Sequence, residues 1–310
     1  MMARPELTII ILNYNVKDLT LEAIRSIEKN YSKEVINGEY QLIVTDNRSP
    51  DGSLEAFKQY KKRSQIKNFH IVDNGGNLGF AAGNNKGVPL AKGKYVLFLN
   101  PDTIVFPKTL RYMLEFMKTH PQAGAASCKL INKDGNFDYN CHRGFPNPWN
   151  AFCYFSGLQK KFPRSRFFSG YTQGWKDINT TYEVDAIEGA FMLMPFEIGR
   201  KIGWWDEDYA FYGEDLQFCY DIRKKGYKIY YVGEVSIMHI GGASSGIKRK
   251  AQNITKANIA IKTKVQRWRF DAMRIFYRKN YLKTYPRFIT WLVLKGINYL
   301  HNKNLPRLAV

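Results

Sequence analysis

Leu7–Leu12 reads LTIIIL, an unbroken run of apolar and β-branched residues closed by Asn13. A strand without polar alternation has no solvent face. The run therefore predicts a strand buried on both sides, as in a parallel sheet. Outward from it, Asp18–Tyr31 carries Leu19, Leu21, Ile24 and Ile27 at roughly helical spacing. Gln41–Thr45 (QLIVT) is a second strand, and Ser53–Lys62 is helical in character. Phe69–Val72 is a third strand, followed by a Gly/Asn loop and a helical stretch, Phe80–Leu90. Lys94–Leu99 (KYVLFL) is a fourth strand, and Pro107–His120 is a helix with Pro in its first turn, where a missing N–H costs nothing. Strands near residues 10, 43, 70 and 97, separated by helices, predict βαβ units and a doubly wound, mostly parallel α/β sheet.

Ligands of such sheets sit beyond the carboxyl ends of the strands. Those ends are Asn13-Tyr14-Asn15, Asp46-Asn47, Asp73–Gly79 and Asn100-Pro101-Asp102. Residues 132–182 are less regular and read as a substrate-facing insertion. Beyond them come a strand at Phe191–Met194 and an amphipathic helix at Asp215–Lys225 stopped by Gly226. Strands follow at Tyr227–Val232 and Val235–Met238, ending at His239, and past Gly246 the pattern is helical.

Composition excludes several classes. A chain of 310 residues that is 45% hydrophobic and 15% aromatic is too apolar to stay disordered. No apolar stretch approaches the ~18 residues needed to span a bilayer, and the N-terminal run is too short for a secretory leader. Four scattered cysteines with no C-x-x-C suit a reducing, cytoplasmic compartment and buried thiols. The net charge of +20 is uneven: residues 247–310 hold 16 lysines and arginines against Asp271 alone, net +15, which leaves +5 for the rest. Aromatic residues interleave with those cations, among them Trp268, Tyr277 and Trp291. Such a tail suits a negatively charged surface, either anionic lipid headgroups or nucleic acid.

The position after the first strand holds Asn-Tyr-Asn-Val instead of G-x-G-x-x-G, and no P-loop occurs. The glycine-rich stretch NGGNLGFAAGNNKG (Asn74–Gly87) is either a tight loop opening a helix or a place where Gly79 and Gly83 let backbone approach a ligand. Asn100-Pro101-Asp102 is a turn whose carboxylate can reach a hard divalent cation held mainly by diphosphate. Glu214-Asp215 opens a helix, as caps do, and also fits a general base with a hydrogen-bonding neighbour. His239 at a strand end is a structural histidine or a metal ligand.

Taken together and in order, these blocks closely resemble the family 2 glycosyltransferases, inverting nucleotide-sugar enzymes of GT-A fold. The bacterial rhamnosyltransferase-type branch is the most similar. The resemblance covers Leu7 to about Gly246 and is carried by TIIILNYN, VTDNRSPDGS, GNLGFAAGNNKG, FLNPDT, GAFMLMP, FYGEDLQFCYDIRKKGYKIYYV and HIGGASS. It implies a GT-A domain over 1–246, split into a nucleotide-sugar half (1–103) and an acceptor half (104–246), with a basic helical extension over 247–310. It also implies that Asn15, Asp46, Asn47, Gly79, Asn84, Asn100 and Asp102 serve the nucleotide sugar. Asp102 and His239 would hold Mg2+ or Mn2+, and Asp215 would be the catalytic base. Glu214 would hold the acceptor, with Glu188 and Trp205 beside it. Asn100 departs from the first acid of the family's D-x-D element, and Glu188, Gln217, Trp204-Trp205 and Pro195-Phe196 depart in the acceptor half.

The expected activity is transfer of a sugar, rhamnose favoured, from a dTDP- or UDP-linked donor to a saccharide or lipid-linked saccharide in cell-surface polysaccharide synthesis. UDP-galactofuranose, UDP-N-acetylglucosamine or another hexose donor is the alternative within the class. A nucleic-acid-binding protein is the rival outside it, and it leaves the D-N, N-P-D and E-D elements unexplained, so no nucleic acid is expected. The expected seat is cytoplasmic and peripheral, with the 247–310 tail on the anionic inner face of the plasma membrane or packed on the body or a second subunit.

Overall fold

The computed structural model describes residues 4–241 and 259–304. The expectations for Gly242–Ser245 and for 247–258 lie outside the described residues. The first half runs β1 (Leu7–Asn13), α1 (Lys17–Asn30), α2 (Ser32–Asn37), β2 (Tyr40–Asp46), α3 (Ser53–Arg63), β3 (Asn68–Asp73), α4 (Gly79–Asn85) and β4 (Tyr95–Leu99). Strands β3, β2, β1 and β4 are neighbours in that order, and all pair in parallel. Every residue of β1 and β2 is buried, as continuous apolar strands with helices on both faces require.

The second half adds β5 (Thr103–Val105), α5 (Thr109–Thr119), β6 (Ala123–Ile131), β7 (His142–Arg143), α6 (Pro148–Ser156) and α7 (Leu158–Lys161). It continues with β8 (Tyr182–Val184), β9 (Ala186–Ile187), β10 (Phe191–Pro195), α8 (Phe196–Ile202), α9 (Glu214–Lys224) and β11 (Lys228–His239). Strand β10 inserts antiparallel between β4 and β6, and β11 lies parallel to β6. The result is one mixed, mostly parallel sheet of nine strands. Strands β7 and β9 form a separate ribbon.

Three boundaries differ from expectation for local reasons. The helix expected over Phe80–Leu90 ends at Asn85, and Gly87 and Pro89 lead into a short 3-10 turn at Val88–Leu90. Pro107 stands outside α5, because Lys108 adopts φ +70° and the helix starts only at Thr109. The two expected strands at 227–232 and 235–238 are one strand, β11, with an irregularity between Val232 and Ser236 that keeps its pairing to β6. All four cysteines are buried and free.

Two helices complete the described chain, α10 (Ile259–Asn280) and α11 (Arg287–Asn304). They pack on each other, and α10 packs on the body. Phe276, Tyr277 and Tyr281 join the main apolar core. The Phe276 ring meets Phe145 and Tyr220 at centroid distances of 6.3 and 5.7 Å. Lys279 pairs with Asp208 at 2.6 Å and with Asp206, and Asn280 Nδ2 donates to Gln217 Oε1 at 2.7 Å. No helix among the described residues is long and apolar enough to cross a membrane.

Removing a buried aromatic ring leaves a cavity, so Phe276→Ala should cost about 3 kcal/mol. The exposed Phe288→Ala should cost under about 0.5 kcal/mol. Urea unfolding of both variants checks this, and equal midpoints would mean that α10 is not docked on the body.

Candidate active site

A cleft of about 1710 Å³ opens beyond the carboxyl ends of the parallel strands. Strand pairing builds one of its walls. Strands β5 and β11 run antiparallel with His239 opposite Thr103, and Ile240 N donates to Asp102 O at 2.9 Å. That register sets His239 Nε2 3.4 Å from Asp102 Oδ1, with Asn100 Nδ2 also 3.4 Å from the ring. Asp138, after β6, and Glu188, after β9, close around the same imidazole. One ligand atom from each of Asp138, Glu188 and His239 lies within 4.8 Å of the others.

His239 is 2% exposed. Burial by itself would strip its proton, but the Asp102 carboxylate outweighs that, helped by Asp138 and Glu188, and holds the ring's pKa up to about 10. An imidazole kept charged by surrounding carboxylates marks a place with surplus negative charge. Three carboxylates and an imidazole make a hard oxygen and nitrogen donor set that suits Mg2+ or Mn2+.

The opposite wall comes from the start of α9. Tyr212 (φ +71°) and Gly213 (φ +83°) turn the chain sharply, so that Glu214 and Asp215 enter the helix facing the cleft. Asp215 Oδ1 accepts from Leu216 N at 2.8 Å. Its Oδ2 forms an ion pair with Arg143 Nη2. Arg143 reaches it because β7 pairs with β9. Glu214 is 8% exposed, and its Oε2 has no hydrogen-bond partner. Burial first, then the Asp215 charge, pushes its pKa up to about 8.

The cleft brings together most of the residues singled out from sequence. Asn47, Gly79, Asn100, Asp102, Glu188, Glu214, Asp215 and His239 all line it. Glu188, expected near the acceptor, stands in the His239 cluster. Four others do not line the cleft. Asp46 is fully buried and accepts from Asn13 Nδ2, Ser49 N and Ser49 Oγ. Asn15, exposed at φ +57°, donates its N–H to that same Ser49 Oγ. The Asn84 side chain turns back to donate to Phe80 O at 3.0 Å. Trp205 is a core residue among Phe80, Phe98 and Phe218, not a cleft wall.

Gly79 lines the cleft and also makes a close approach to backbone. At φ +81°, a Cβ there would lie 2.6 Å from Ala210 O. It lets the glycine-rich loop dock on the 205–210 loop, where Asn85 also bonds Trp205 N and O. Sequence reading missed Asp138 and Arg143. Both sit in the irregular 132–182 region, where no periodicity marks a facing direction. It also missed that Lys264, Trp268 and the apolar stripe of α11 line the cleft.

The chain matches the family described as Glycosyl transferase family 2 over residues 8–178, more than half its length. It belongs to glycosyl transferase family 2. Residues 95–306 also match Glycosyl transferase family group 2. Low-salt glycan biosynthesis hexosyltransferase Agl10 of Haloferax volcanii is 25% identical over 240 residues, 76% of this chain and 67% of that protein. Rhamnosyltransferase WbbL of Escherichia coli is 25% identical over 209 residues, 64% of this chain and 72% of that one. Among solved structures, the mannosyltransferase PcManGT of Pyrobaculum calidifontis, in complex with GDP-Man and Mn2+, superposes with a TM-score of 0.56 at 16% identity. The match covers 98% of this chain and 87% of that one. The fold of this family 2 glycosyltransferase is therefore GT-A.

Glu214 supplies a pH test. Its native pKa near 8 lies above the ordinary ~4.3 of an unfolded glutamate. Between those values the native state keeps a proton that the unfolded chain has released, so stability falls as pH rises. Calorimetric melting in a chelator should show a steeper loss from about pH 5 to about pH 8 in the unmodified protein than in Glu214→Gln. Parallel profiles would remove the raised pKa.

Proposed function

We propose that this family 2 glycosyltransferase is inverting and metal-dependent. It would transfer a hexose, rhamnose favoured, from a dTDP- or UDP-linked donor to a saccharide or lipid-linked saccharide in cell-surface polysaccharide synthesis. One observation carries the reading: Asp102 and Asp215, distant in sequence, line one cleft. In inverting transfer the acceptor hydroxyl attacks the anomeric carbon on the face opposite the leaving diphosphate. The attacking oxygen must lose its proton, and a carboxylate on that face takes it. The departing diphosphate gathers negative charge on the other face.

Asp215 is the base in this reading. Arg143 and the Leu216 N–H hold its carboxylate in one orientation. Glu214, protonated near neutral pH, can donate a hydrogen bond to an acceptor oxygen. Asp102 and His239, with Asp138 and Glu188 beside them, would hold the metal. A bound Mg2+ or Mn2+ would supply positive charge to the leaving diphosphate. Asn47, Gly79 and Asn100, which line the cleft, would serve the donor in this reading. Asp46, Asn15 and Asn84 support that side from behind by fixing its loops.

Rhamnose is favoured because WbbL, named a rhamnosyltransferase, is matched over 72% of its length. Solved relatives of the same fold hold other donors: TarS of S. aureus has been solved with UDP-GlcNAc, at a TM-score of 0.51 and 15% identity. For the peripheral membrane seat, α11 exposes Phe288, Trp291 and Tyr299 beside Lys295 and Lys303, a composition suited to an anionic headgroup layer.

Asp215→Asn should lower transfer by at least about a thousandfold while nucleoside-diphosphate binding survives. Near-normal turnover of this variant would remove Asp215 as base. Asp102→Ala and His239→Ala should each weaken UDP binding in Mn2+ by about tenfold or more, with little change in a chelator. Calorimetry with and without the metal decides, and unchanged affinities in both would take the two residues out of the metal site.

A further inference from the structure

Gln217, one of the departures noted in the sequence, is buried where α9, the end of α10 and the 205–210 loop meet. Its side-chain Oε1 accepts from Tyr209 Oη at 3.0 Å and from Asn280 Nδ2 at 2.7 Å, and its Nε2 donates to Asp221 Oδ2 at 2.9 Å. Its backbone N–H donates to Gly213 O at 2.9 Å, the bond that closes the first turn of α9 beneath Asp215. A carboxylate at this position would accept the same two bonds but would set a second negative charge against Asp221. The amide, acceptor at one end and donor at the other, joins all its neighbours.

Other contacts of α10 converge on the same turn. A Cβ built at Gly213 would lie 3.1 Å from the Cβ of Ala272, so the helix packs directly on the residue that launches Glu214 and Asp215. The Phe276 ring bears on both segments that carry the Arg143–Asp215 ion pair. It meets Tyr220 of α9 and Phe145, two residues after Arg143, and those two rings are themselves 5.1 Å apart. Lys279 Nζ lies 5.7 Å from the ring centroid of Tyr209, whose hydroxyl bonds Gln217. Arg274 of the same helix faces elsewhere: its guanidinium bonds Asn298 Oδ1 of α11 at 2.9 and 3.1 Å and Asp271 at 2.7 Å.

We propose that Gln217 and Asn280 are positioning residues: their hydrogen bond braces the first turn of α9 against α10 and so fixes where the Asp215 carboxylate points. This rests on Asp215 being the base. Neither residue has to touch a substrate. A base displaced by about an ångström loses much of its rate, because the proton it must take is no longer in line. The donor, held from Asp102 and His239 at the other wall, would not feel that displacement. Loosening the brace therefore lowers turnover and leaves donor affinity as it was.

The test uses the full chain and compares Asn280→Ala and Gln217→Leu with Arg274→Ala, which removes bonds of the same helix that do not reach α9. Amide exchange over Glu214–Asp221, read by mass spectrometry, should quicken about fivefold in the first two and stay unchanged in Arg274→Ala, even where all three lower the melting temperature alike. Hydrolysis of dTDP-rhamnose and of UDP-N-acetylglucosamine in Mn2+, with water as acceptor, should show kcat about tenfold lower in the first two and KM within about twofold. Asn280→Gln, which keeps an amide donor, should recover part of the lost rate. Unchanged exchange in Asn280→Ala overturns the proposal, as does unchanged kcat. An equal loss in Arg274→Ala also overturns it, by reducing the brace to general stability. Where the unmodified protein hydrolyses neither donor, the exchange comparison decides. Asp215→Asn keeps the two readings apart: near-normal hydrolysis there removes the base, whereas loss there with Asn280→Ala unaffected removes the brace alone.

Discussion

The short antiparallel pairing of β5 with β11 is the constraint on which the site depends. It sets His239 opposite Thr103 and brings the imidazole against Asp102. Neither residue could reach the other from its own loop. The strands fix both backbones, and burial then makes every nearby charge count. In this low-dielectric corner the carboxylates of Asp102, Asp138 and Glu188 cannot be left uncompensated. The protonated ring answers part of that charge; a divalent cation bound through the ring nitrogen would displace that proton and answer the charge in its place. A shift of one residue in this register would move His239 to the other face of the sheet and dissolve the cluster.

The wall at the start of α9 follows a different logic. There the charge is arranged so that two adjacent carboxylates behave differently. Arg143 compensates Asp215, whereas Glu214 has no cation of its own and keeps its proton instead. Adjacent residues at a helix start thereby acquire distinct chemistry from one turn of backbone at Tyr212-Gly213. The glycine-rich loop joins the two sides through the Gly79 approach to Ala210, so the 74–79 and 205–210 loops share one close contact.

Much of this was legible in the sequence. LTIIIL announced a parallel sheet, and the polar residues after each strand pointed to the cleft edge. The E-D pair and the N-P-D turn stood out by their order and spacing among the other blocks, because each alone reads equally as a helix cap or a turn. Other parts were hidden for physical reasons. Arg143 and Asp138 lie in an irregular segment, where direction is set by pairing across the chain and not by period. Trp205 was expected beside the acceptor, but a tryptophan is equally a large core residue, and here three rings enclose it. Asn84 and Asp46 sit where a ligand contact would be useful, and spend their polar atoms on the loops instead. The charge of the tail was visible, but its docking through Phe276 and Lys279 required knowing what faces those side chains.

That docking changes what the last part of the chain is. Helices α10 and α11 stand as a wall of the reaction chamber and are held by a few contacts, chiefly the Phe276 ring, the Lys279 ion pairs and Asn280. The sheet, whose strand ends and following loops place Asp102, Asp138 and Glu188, is a separate piece of architecture. Evolution can therefore exchange the wall without disturbing the cluster around His239. A chain built this way can change what borders its cleft by redrawing two terminal helices while the sheet stays as it is.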